Sequence, residues 1–142
     1  MPKVSFTYEE AVQLLEKAVA ERGADYVYAK DPKALRTSFW RCVNVFVDGT
    51  PGCIIGQILA YKGFWDQEGA ALYEGTVTVS DLIVEGVIEA DDATAELLSA
   101  VQRNQDIGVS WGKAVARARK IAEAVRSGEC PAGWHHYCTL VG

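Results

Sequence analysis

A chain of 142 residues that is 49% hydrophobic and 23% charged has the length and apolar content of one globular domain with its own core, which excludes a disordered or low-complexity polypeptide. A net charge of −5 disfavours nucleic acid and anionic membrane as general partners. No run approaches the roughly 20 apolar residues that cross a bilayer, and Met1-Pro2-Lys3-Val4-Ser5 carries no apolar signal core, so the expectation is a cytoplasmic protein, without a membrane partner, whose four cysteines are reduced.

Thr7-Tyr8-Glu9-Glu10 has the form of a capping box, in which Thr7 and Glu10 satisfy each other's backbone N–H groups, and it predicts a helix from Tyr8. Tyr8, Ala11, Val12, Leu15, Ala18 and Val19 fall on one face of it, Glu9, Gln13, Glu16 and Lys17 on the other, and Gly23 ends it after Arg22. Residues 24–29 read as a short strand. Residues 41–47, rich in β-branched and aromatic side chains, read as a second, with a loop containing Asp31-Pro32 between them; the simplest pairing is antiparallel. Asp48-Gly49 then turns the chain. Thr50 suits a helix cap and Pro51 a first turn, and no charge follows until Lys62, so residues 51–62 predict a helix buried nearly all round. On that helix Gly56 lets a neighbouring backbone come close, and Gly63 closes it.

Beyond this point residues 64–69 read as a loop, and Thr76-Val77-Thr78-Val79 leads into a short helix over 81–85 capped by Ser80. Asp91 and Asp92 supply capping carboxylates for a helix that runs through Gln102 and closes near Gly108. Ser110 caps the last helix, from Trp111 to Arg126, whose inner face is Trp111, Val115, Ala118, Ala122 and Val125. The tail over 129–142 has no clear period. The fold class is therefore α+β, one domain in which a small two-stranded antiparallel sheet packs against four or five helices around a central apolar helix.

Asp48-Gly49-Thr50-Pro51-Gly52-Cys53-Ile54-Ile55-Gly56, Gln102-Arg103-Asn104-Gln105-Asp106 and Ser110-Trp111-Gly112-Lys113-Ala114 together resemble a family of small proteins encoded by phages of mycobacteria and other actinobacteria, whose motifs carry no assigned chemistry. The resemblance covers most of the chain from Thr7 to Arg126. It implies a phage gene expressed in a bacterial host's cytoplasm and, as such genes often act, a product that binds a host protein. Several members of that family have a histidine where this chain has Gln57, a departure that weakens any scheme in which a helix-borne histidine partners Cys53.

Cys53 is the candidate catalytic residue, because free N–H groups and the helix dipole near a first turn favour a thiolate. Its neighbours Ile54 and Ile55 argue instead for a dry, packed and inert thiol, and a nucleophile needs a base where the only histidines are His135 and His136. Cys130, His135, His136 and Cys138 are of the types that ligate zinc, but their spacing lacks the paired ligands of a zinc motif, so no metal and no cofactor is expected. Charge is the more informative pattern. Between Gly63 and Gln102 there are nine acids and no lysine or arginine, with aromatic residues interleaved. Trp65, Asp66, Glu68, Tyr73 and Glu74 are accordingly the candidate partner-binding residues, the acids steering a basic partner and the rings anchoring it. Lys113, Arg117 and Lys120 share one face of the last helix and form the competing surface. The reading this supports is a non-enzymatic binder or modulator of a host protein. The alternatives are a thiol-dependent enzyme centred on Cys53 and an acidic DNA mimic of the anti-restriction type.

Overall fold

The computed structural model describes residues 1–35 and 43–130. In chain order its elements are β1 (Val4–Ser5), α1 (Tyr8–Arg22), a 3-10 turn at Tyr28–Lys30, α2 (Pro32–Leu35), α3 (Ile54–Tyr61), 3-10 turns at Phe64–Asp66 and Ala70–Tyr73, α4 (Val79–Val84), β2 (Ile88–Glu89), α5 (Asp92–Asp106) and α6 (Trp111–Arg126). No helix among the described residues is long and apolar enough to cross a membrane.

The local signals place α1 where they predict it. Thr7 Oγ1 accepts from Glu10 N–H at 3.1 Å, Gly23 follows the last turn, and Tyr8, Ala11, Leu15 and Ala18 face inward. Only half of the capping box forms, because the Glu10 carboxylate pairs with Lys62 at 2.8 Å and so ties the start of α1 to the end of α3. The central apolar helix is α3, with Ile55 and Leu59 both 0% exposed. Burying an isoleucine or leucine side chain completely stabilises by about 1.5–3 kcal/mol, so this short helix outweighs its length in the core. It begins later than the sequence suggests. Thr50 does not cap it: the Thr50 N–H and hydroxyl both go to Asp48 Oδ1, at 3.0 and 2.6 Å, Pro51 forms an isolated antiparallel bridge with Val45, and Cys53 becomes the capping residue.

The predicted sheet is not the one the chain makes. Instead of an antiparallel pair, Val4 and Ser5 pair in parallel with Ile88 and Glu89. The carbonyls of Ala24 and Tyr26 explain the difference, since they accept from Gly112 N–H at 3.0 Å and Trp111 N–H at 2.8 Å, the first amides of α6. Those amides need acceptors because Ser110, although at the cap position, makes no side-chain bond. Ala24 and Tyr26 therefore help cap α6, and from Tyr28 the segment enters a 3-10 turn instead of a ladder. Part of the other predicted strand, residues 41–42, lies outside the described residues. Its remainder pairs with loops: Asn44, Val45 and Phe46 N–H groups go to Gly75, Glu74 and Thr50 carbonyls. The six α-helices of the described residues also exceed the four or five predicted.

The later helices follow their caps. Thr78, rather than Ser80, caps α4 in a reciprocal box with Asp81, so this helix starts before the predicted 81–85. Asp91 caps α5 through Thr94 N–H at 2.8 Å. Gly108, at φ 94°, turns the chain so that α6 packs along α5. Two buried glutamines on α5 then organise the centre. Gln105 Oε1 accepts from Ile54 N–H at 2.8 Å and from the Trp111 indole N–H at 3.1 Å, and Gln102 Oε1 accepts from Val79 N–H at 2.8 Å. One turn of α5 thus caps the N-termini of α3 and α4 from the side, a placement that buried amide groups require.

Candidate functional site

The acidic segment is held in place by a residue that carries no signal in the sequence, Asn44. Its side chain is fully buried and donates through Nδ2 to Tyr73 O at 2.8 Å and to Val77 O at 3.2 Å, while its backbone N–H reaches Gly75 O at 3.2 Å. Asn44 in turn lies on α3, close enough that a Cβ on Gly56 would fall 1.9 Å from Asn44 O. The expected close backbone approach at Gly56 is this one. Residues 73–77 are therefore tied through Asn44 to the most buried helix of the molecule.

Trp65 stands opposite. It lies edge-on to the buried Phe64, ring centroids 4.9 Å apart, and its indole N–H donates to Gly56 O at 3.0 Å, which sets the ring's orientation. Between Trp65 and Glu74 opens a cleft of about 440 Å³ whose described lining includes Val43, Val45, Val47 and Pro51. Val47 is 105% exposed at its rim, an apolar side chain wholly in water. Glu74 is exposed and is the one charged residue of the described lining; it makes no ion pair among the described residues.

Of the partner-binding candidates, the structure brings Trp65 and Glu74 together in this cleft. Asp66 and Glu68 are exposed on the same segment but do not line it. Tyr73 is half-buried, tilted against Phe64 with centroids 6.3 Å apart, so it supports the segment from inside. Val45, Val47 and Pro51 were missed as site residues because each has a complete local explanation as strand or helix start. The Val47-Asp48-Gly49 sequence, an apolar residue running directly into an exposed turn, is the signal that could have pointed to them.

The other acids of the segment are less available. Asp81 and Asp91 cap helices, and Glu89 pairs with Lys3 at 2.7 Å. A second cleft, of about 320 Å³, lies between α1 and α6 and is lined by Glu16, Val19, Gly112, Val115 and Arg119. Its two charges neutralise each other, since Arg119 pairs with Glu16 at 2.9 Å. Lys113, Arg117 and Lys120 are exposed on α6, with Arg117 donating to Asn104 Oδ1 at 3.3 Å, and they line neither of these two clefts.

Cys53 is fully buried, and its sulfur accepts from Gly56 N–H at 3.5 Å. Cys53 and Cys130 are each disulfide-bonded, and no free cysteine stands among the described residues, which corrects the expectation of reduced thiols at these positions. Cys53 accordingly has no thiolate to offer. Of the candidate metal ligands only Cys130 is described, buried and oxidised; His135, His136 and Cys138 lie outside the described residues. Among the described residues no group of histidine, cysteine and carboxylate side chains is arranged to hold a metal ion.

Two further polar features shape the region without lining the cleft. The Arg22 guanidinium donates to Pro51 O at 2.6 Å, Gly52 O at 3.2 Å and the Tyr26 hydroxyl at 3.0 Å, and it lies 4.9 Å from the Trp111 ring centre, so it clamps the approach to α3. Burial pushes the Asp106 carboxyl up to about 6, opposed by the hydrogen bond from Gln105 Nε2 at 3.0 Å. Compared with protein-family models, with curated proteins and with solved structures, the chain matches none.

Proposed function

We propose that this chain is a non-enzymatic, phage-encoded protein that acts by binding a host protein through the acidic face around Trp65 and Glu74. The observation that carries the reading is the cleft itself. It combines an oriented indole, an exposed valine at the rim and a carboxylate with no ion pair among the described residues, the elements from which interface anchors and steering charges are made. A thiol-dependent enzyme has lost its support, because the sulfur of Cys53 is buried and in a disulfide. A DNA mimic is less well supported than a binder, since Asp81, Asp91 and Glu89 already serve the protein's own caps and ion pairs.

Affinity purification from a mycobacterial lysate identifies the partner, and charge reversal then locates the face. Replacing Asp66, Glu68 and Glu74 together by lysine is expected to slow association by about tenfold or more, the scale on which complementary charge steers encounter. Reversing Lys113 and Arg117 is expected to leave it unchanged. Association that responds only to the second pair would place the docking surface on α6 and refute the acidic face.

A further inference from the structure

Taking that acidic docking face as its premise, we propose that the cleft between Trp65 and Glu74 receives the side chain of a single lysine or arginine from an extended segment of the partner, the cation held by Glu74 and its methylene stem by the apolar wall.

The lining selects this occupant by its chemistry. Val45, Val47 and Pro51 offer aliphatic surface but no donor or acceptor side chain, which suits the stem of a long side chain. The Trp65 indole N–H is already given to Gly56 O at 3.0 Å, so the ring has no donor left for an anion or an amide and can contribute only its π surface, which attracts cations. Glu74 supplies the one formal charge among the described lining residues, and Asp66 and Glu68 extend the same sign beyond it. No lysine or arginine stands among the described lining residues to accept an anionic ligand. A purely apolar occupant would strip water from the Glu74 carboxylate without replacing its hydrogen bonds, a loss that a guanidinium or ammonium group avoids.

The size and setting point to one residue on an extended chain. At about 440 Å³ the cleft falls at the lower end of the roughly 300–1,000 Å³ of small-molecule sites. Its walls are the loop at 73–75 and the segment at 43–47, joined by the bonds from Asn44 and Val45 N–H to Gly75 and Glu74 carbonyls at 3.2 and 2.9 Å. This floor is fixed through Asn44 to α3, so the pocket is formed before a partner arrives. The second cleft makes a useful contrast: Arg119 and Glu16 pair across it, and it has no charge with which to choose a ligand.

The test uses the full chain and three capped pentapeptides, Gly-Gly-Xaa-Gly-Gly, with Xaa arginine, citrulline or glutamate; citrulline keeps arginine's shape and loses its charge. Binding is followed by the NMR shifts of the Trp65 indole N–H, assigned with Trp65→Phe, and of the Glu74 amide. The expected result is a saturable shift at both groups with the arginine peptide, weakened about tenfold for citrulline and about tenfold for arginine on Glu74→Gln, and absent for glutamate. Unchanged spectra elsewhere in Glu74→Gln establish that the variant is folded. Equal binding of arginine and citrulline, shifts centred on Glu85 or Asp92 instead, or no saturable shift at all would each overturn the proposal. If the charge reversals slow the partner and the arginine peptide still fails to bind, the anchor is wrong and the docking face stands. If the peptide binds as expected and the reversals leave the partner unaffected, the cleft's selectivity for a cation stands, but the docking face falls and with it the partner's residue as the occupant.

Discussion

Replacing Gly56 by alanine tests whether the core is built on the contact between α3 and the backbone of Asn44. The added Cβ would lie 1.9 Å from Asn44 O, 2.7 Å from its carbonyl carbon and 2.9 Å from its Cα, and none of these main-chain atoms can swing aside. Ordinary contact begins at 3.4 Å, so the two backbones must separate by roughly 1.5 Å. A movement of that size breaks the bonds from Gly52 N–H to Asn44 O at 2.9 Å, from Asn44 N–H to Gly75 O at 3.2 Å, and from Asn44 Nδ2 to Tyr73 O at 2.8 Å. Three such bonds are worth about 1 kcal/mol each, and alanine recovers about 1 kcal/mol in helix propensity. With over-packing of about 1–3 kcal/mol added, the net loss is roughly 3–5 kcal/mol. Urea denaturation followed by far-ultraviolet circular dichroism measures it under non-reducing conditions. Gly75→Ala is the control, since a Cβ there meets nothing within 4 Å, and it is expected within about 0.5 kcal/mol of the parent. A Gly56→Ala variant as stable as the parent would refute the packing argument, and with it the account of how the cleft is held.

Gln105→Leu leaves the Ile54 amide and the Trp111 indole N–H buried without acceptors and is expected to cost about 2–5 kcal/mol, whereas Gln102→Leu orphans only Val79 N–H while removing an Nε2 that already lacks a partner, and is expected to cost about 1–2 kcal/mol. Equal losses in parallel denaturation curves would count against the capping role of Gln105. Burial raises Asp106 from 3.8 to about 6, so the native state holds this proton more tightly than the unfolded chain, and the stability that follows is complete below about pH 4 and lost as pH rises through 6. Asp106→Asn keeps an acceptor for Gln105, so its stability relative to the parent is expected to climb across that window and level off by about pH 7; a flat difference would contradict the burial of this carboxyl. Arg22→Lys keeps the charge and loses the fork that reaches Pro51, Gly52 and Tyr26 together, an expected loss of about 1–3 kcal/mol by thermal unfolding, and an unchanged midpoint would show the clamp to be idle.

The parts of this protein that the sequence determined by itself are those set by neighbours along the chain. The Thr7 and Asp91 caps, the helical spacing of apolar residues in α1 and α6, and the uncharged run of α3 are each local, and each element stands within a few residues of where it is read. The glycine that admits a backbone to α3 was legible for the same reason, although its neighbour was not. In the candidate site, Trp65 and Glu74 stood out by residue type and charge. What the tertiary structure decided is where backbone groups far apart in sequence find partners. Residues 24–29 have strand character, yet their carbonyls meet the first amides of α6; Val4 and Ser5 have too short a pattern to read, yet they pair with Ile88 and Glu89. Oxidation of Cys53 and Cys130 likewise depends on separation in space, which spacing along the chain does not encode. The cleft is of this second kind. Val45, Val47 and Pro51 reach Trp65 and Glu74 only because buried Asn44 must satisfy its amide, and it does so on the carbonyls of the acidic loop.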